Sequence, residues 1–97
     1  MSIKIKDEQW VYVVVQNPDG SEKIVGQYDQ ELNLSYIPVF IEKESAQMVY
    51  GRLALEKASK YEIQAVLYED AVKHAAENKC QIYILNTDGE ILDKIQP

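Results

Sequence analysis

Cysteine, histidine, phenylalanine and tryptophan each occur once in this chain of 97 residues, with three prolines and four glycines. The lone Cys80 excludes an intrachain disulfide framework, and nothing in its usage argues for an oxidising compartment. His74 and Cys80 have no partners of their own kind at ligand spacing, so no metal and no cofactor are expected. No apolar run approaches the ~20 residues that span a bilayer. The lead Met1–Glu8 lacks the apolar centre of a signal peptide, and a cytoplasmic protein of bacterial type is expected. Basic residues are also scarce, 10 against 16 acids, for a net charge of −6. That balance offers no footprint for a phosphate backbone or an anionic membrane surface, so neither nucleic acid nor membrane is an expected partner. Solubility is explanation enough for it.

What is present is a chain patterned for one domain over residues 1–97, with residues 1–8 as a flexible lead. Trp10-Val11-Tyr12-Val13-Val14-Val15 is wholly β-branched or aromatic and predicts a strand. Asn17-Pro18-Asp19-Gly20 then predicts a turn, and 22–28 the returning strand, with Gly26 at a bulge. Residues 29–35 are polar and read as a loop. Two strand-to-helix units follow in tandem. Ile37-Pro38-Val39-Phe40-Ile41 runs into a helix over 43–58, and Ile63-Gln64-Ala65-Val66-Leu67 into one over 69–78. Gln81–Leu85, a second Asn-x-Asp-Gly turn at Asn86–Gly89, and 90–95 complete the chain as a hairpin.

Both helices have one apolar stripe. Ala46, Val49, Tyr50, Leu53 and Ala54 follow the core-facing rhythm in the first, where Gly51 suggests a close backbone contact. Ala71, Val72, Ala75 and Ala76 give the second a small-residue face, and Asn78 is its expected left-handed cap. Acids early and bases late complement both helix dipoles. Right-handed crossovers then predict an α+β, two-layer sandwich: one mixed β-sheet in the order β-β-β-α-β-α-β-β, with two helices on one face.

The segment Ile37-Pro38-Val39-Phe40, with Glu44 and Ala46 in the oncoming helix, resembles the N-terminal-like domain of the SseB proteins. It also looks like a small uncharacterised α+β family of cyanobacteria. The chain departs from the SseB-like pattern at Ile41 and Glu42, where those domains place Thr or Ser. The resemblance implies a fold and transfers no catalytic residue.

No grouping of residues points to catalysis. The two Asn-x-Asp-Gly turns fail as EF-hand loops, since position 1 would fall on Val15 or Ile84 and no Glu closes either loop. They are hairpin turns. His74 reads as a surface histidine near a helix end, and Cys80 as an inert thiol with nothing beside it to stabilise a thiolate.

Seven tyrosines and one tryptophan are the unusual feature, and they fall in phase. Val11, Val13 and Val15 share one strand face with the side that Ile82 and Ile84 occupy. Trp10, Tyr12, Val14, Tyr83 and Leu85 point the other way, onto a face that two helices in one layer would leave open. Those five are the candidate interface of a non-enzymatic interaction module, most simply a homodimer; the alternative cover is the loop at 29–36 or the N-terminal tail. A small-molecule sensor, with its ligand between sheet and loop, is the second reading. An enzyme built on isolated acids and tyrosines is the third.

Overall fold

A computed structural model describes residues 5–17, 19–57 and 59–97. Pro18, part of the first expected turn, lies outside them, as do residues 1–4 of the lead. Within them run β1 (Trp10–Gln16), β2 (Lys23–Ile24), β3 (Gln27–Asp29), β4 (Leu34–Phe40), α1 (Lys43–Tyr50), β5 (Tyr61–Leu67), α2 (Tyr68–Glu77), β6 (Gln81–Leu85) and β7 (Ile91–Ile95). The fold is α+β: a seven-stranded mixed sheet with two helices. Across its middle the sheet reads β5-β1-β4-β6-β7. β4 and β6 are parallel neighbours, and the other pairs are antiparallel.

The expected return strand is split. β2 pairs with β1 and β3 with β4, separated by Val25 and Gly26. β1 and β4 therefore touch in the ladder only at Tyr12↔Phe40, and elsewhere they fork. Pro38 sits on the forked stretch of β4, where the amide it lacks is not missed. β4 starts at Leu34, earlier than the apolar run announced, because β3 pairs onto its polar beginning. The turn between them is closed by Asp29, whose Oδ1 accepts from the Glu31 and Leu32 amides at 3.0 and 3.2 Å.

The helices do not share a layer. Ala71 and Ala75 of α2 pack with Val11, Val13, Val15, Ile37, Val39, Ile82 and Ile84. Ala46 and Val49 of α1 pack with Phe40, Tyr83 and Leu85, on the opposite faces of the same strands. The crossover rule itself explains this arrangement. From β4 the chain crosses to β5, beyond β1; from β5 it returns past β1 and β4 to β6. Two right-handed crossovers in opposed directions place their helices on opposite sides of the sheet. Expecting both helices on one face assumed a single direction of travel.

Local details follow the residues. α1 is eight residues long and ends where Gly51 interrupts it, well short of position 58. Nothing lies within 4 Å of the Cβ position at Gly51, so the close contact expected there is absent. α2 ends in a Schellman turn: the Cys80 amide donates to the Ala75 carbonyl at 2.8 Å and that of Lys79 to Ala76 at 3.3 Å. Its left-handed residue is Lys79, at φ 55°, and not Asn78, at φ −100°. The N-terminus of α2 has no side-chain cap; the carbonyls of Gln9 and Asp7 accept from the Tyr68 and Glu69 amides instead. Ile5 packs against the α2-side core.

Candidate functional site

The five expected interface residues lie where they were placed on the sheet, but α1 covers most of them. Val14 and Tyr83 are each 1% exposed and Leu85 6%. Tyr12 is half-buried under the same helix. Trp10 alone stays open, at 59%. The aromatic face is thus half of the protein's own core. It is apolar because the Ala46/Val49 stripe of α1 needs a floor.

Beyond the end of α1 the same face is closed by side chains. The Tyr83 hydroxyl donates to Asp29 Oδ2 at 2.8 Å, and the Tyr36 ring stacks on that of Tyr83 at 4.1 Å between centroids. Lys94, opposite Tyr83 on β7, holds its ammonium 5.1 Å from the ring centroid. The β3–β4 hairpin therefore contributes cover through Asp29 and Tyr36. Burial first, and then the Asp29 bond, push the Tyr83 phenol up to about 12. The Tyr83 hydroxyl and then the Leu32 amide hold the Asp29 carboxyl below its ordinary value. Neither group exchanges protons near neutrality, so the pair is suited to fixing the turn rather than to acid–base work.

On the α2 side, the fork between β1 and β4 opens a groove of about 510 Å³ beside the end of α2. Ile24 and Ile37 are among its lining residues, as are the chain's single histidine and single cysteine. Asn78 Nδ2 lies 3.4 Å from His74 Nε2 and donates to the His74 carbonyl at 2.8 Å. Burial pushes the Cys80 thiol up, which disfavours the reactive thiolate. Among the described residues, no group of three His, Cys, Asp or Glu is placed to hold a metal ion. No described helix is long and apolar enough to cross a membrane.

The two edges of the sheet differ. β7 carries Asp93 and Lys94, and its register with β6 is interrupted between Ile84 and Leu85. Charges and bulges are the usual devices against edge-to-edge pairing. β5 has neither Lys nor Pro, and its ladder with β1 is unbroken from Tyr61 to Leu67. Among the described residues its second edge pairs with no strand. Tyr61, Ile63, Gln64, Val66 and Leu67 are all half-buried, while only Glu62 and Ala65 are exposed. Trp10 stands opposite Leu67 at one end of this ladder.

The sequence left the strand order open, and with it the position of β5 at an edge. The signal available was weak: a seven-residue strand holding a single charge. No family model, curated protein or solved structure matches this chain.

Proposed function

We propose that the protein is a non-enzymatic interaction module that self-associates by pairing the β5 edges of two copies. The observation that supports this reading is the contrast between the two sheet edges, one broken and charged, the other regular and undefended. Pairing two β5 strands antiparallel about a twofold axis at Gln64 uses all seven residues. Tyr61 then faces Leu67 of the second copy, Ile63 faces Ala65, and Glu62 faces Val66. No like charges oppose one another. The row Trp10–Leu67, extended by Tyr61 of the second copy, places Leu67 between two aromatic side chains on one sheet face. The self-association first assigned to the aromatic face moves to the sheet edge, with Trp10 the one residue common to both.

The test is the mass in solution by light scattering at high micromolar concentration, with Ala65→Lys as the variant. Ala65 is exposed in the single chain, so lysine there leaves the core intact while placing charge at the paired edge. A wild-type dimer and a folded Ala65→Lys monomer support the reading. A monomeric wild type, or an Ala65→Lys dimer as tight as the wild type, overturns it.

A further inference from the structure

The groove at the β1–β4 fork is separate from the β5 edge and borders the α2-side core at Ile37. At about 510 Å³ it lies within the ordinary range of small-molecule sites, roughly 300–1,000 Å³. It arises from the fold itself. β4 leaves β1 after a single ladder pair, the return strand breaks at Gly26, and α2 stops at Glu77. The lining is aliphatic at Ile24 and Ile37 and aromatic at Tyr28, which is 54% exposed. The Tyr28 hydroxyl is committed to Asn33 Oδ1, so the ring is what it offers to a ligand. Ser35, His74 and Asn78 supply short polar groups on the same side.

Two features set the charge of what fits. None of the lining residues is acidic, although the chain carries 16 Asp and Glu, so a cation finds no carboxylate there. The C-terminal end of α2 adjoins the groove, and its partial negative charge offsets the Lys23 ammonium, so the lining favours neither sign of charge. Lys23 is the one Lys or Arg among the lining residues, and it lies at the outer rim on the two-residue strand β2. A flat aromatic ring, aliphatic lining and mixed donors and acceptors suit a planar, uncharged body with a polar edge.

We infer that the groove between β2/β3 and the end of α2 is a binding site for an uncharged heteroaromatic small molecule of nucleobase type. The ligand stacks on Tyr28, rests on the half-buried Ile24, and presents its polar edge to Ser35, His74 and Asn78. Cys80, one of the lining residues, becomes less accessible when the site is filled.

The experiment titrates adenine and hypoxanthine into the full chain. Tryptamine and adenosine monophosphate serve as cationic and anionic counterparts. Amide chemical shifts are recorded, with the rate of Cys80 alkylation by iodoacetamide as a second readout. The neutral probes should shift amides at 24–28, 35–37 and 74–80 and slow alkylation severalfold. Tyr28→Ala, in an exposed position, should fold normally and weaken binding about tenfold. The inference fails if neither neutral probe perturbs these amides up to its solubility limit. It also fails if a charged probe binds more tightly, or if Tyr28→Ala binds as well as the wild type.

Discussion

Val49→Ala tests the packing of α1 on the aromatic sheet face. Val49 is 3% exposed and lies against Phe40, Tyr83 and Leu85. The substitution removes two methyl groups from that contact, at about 0.8 kcal/mol each, and leaves a small cavity. A total of about 2 kcal/mol follows. For a domain of this size that lowers the melting temperature by about 8–16 °C. α1 is poorly equipped to survive the loss alone. It has eight residues and no side-chain cap at Glu42, and helices this short are marginal without tertiary packing. The internal control is the adjacent Met48, 59% exposed on the outer side of the helix, where alanine should change stability by less than about 0.5 kcal/mol. Urea denaturation followed by circular dichroism reads both, with the midpoint shifting and the slope constant for Val49→Ala. Equal effects at the two positions, or a Val49→Ala cost below about 0.5 kcal/mol, would falsify the placement of α1 over Tyr83 and Leu85.

Three further outcomes follow from the same geometry. Because the Tyr83 phenol is raised from 10 to about 12 in the fold, its contribution is complete below pH 10 and lost as pH climbs through 12. Stability should therefore fall above pH 10, and less steeply in Tyr83→Phe; an identical alkaline profile for the two proteins contradicts the raised phenol, whose first cause is burial and second the bond to Asp29. The Asp29 carboxyl is held below its ordinary 3.8, so its contribution is present above that value and lost as pH falls below it. Asp29→Asn should flatten the acid limb of the stability curve, and an unchanged limb refutes the linkage. Gly89 sits at φ 81° with Arg52 Nη1 3.4 Å from its Cβ position, and Arg52 donates to the Asp88 carbonyl. Gly89→Ala should cost about 1 kcal/mol by chemical denaturation, whereas a neutral or stabilising result would mean the β6–β7 turn relaxes freely.

Much of the fold was legible in local sequence. The run Trp10–Val15, the small-residue face at Ala71 and Ala75, and the Asn-x-Asp-Gly turn at Asn86–Gly89 each announce their element. In that turn Asn86 Oδ1 accepts from the Asp88 and Glu90 amides, which is why asparagine stands there. The layer of each helix was not legible, because it depends on where β5 inserts. Periodicity shows that Ile63–Leu67 is a strand, but not that it lies beyond β1 and reverses the direction of crossover. The same missing fact turned Tyr83 and Leu85 from core into an expected surface. Alternation gave their common face correctly, and the stripe at Ala46 and Val49 was the cover that face required. The groove was equally hidden, since the fork arises from the register of β2 on β1 and β3 on β4. The edge at β5 was hidden for a related reason: whether a strand is interior or terminal is a property of the sheet order.

The central claim is that two copies meet along β5, and a crosslink at the twofold axis tests it most directly. With Cys80→Ser to remove the native thiol, Gln64→Cys places one cysteine at the centre of the strand. Residues directly opposed in antiparallel strands stand about 4.5–5.5 Å apart at Cα, within the reach of a disulfide. Glu62→Cys serves as the comparison, since in this register it faces Val66 of the second copy and lies far from its own counterpart. Under mild oxidation Gln64→Cys should convert to a covalent dimer much faster than Glu62→Cys and stay folded. Equal, slow crosslinking at both positions would contradict the β5 interface.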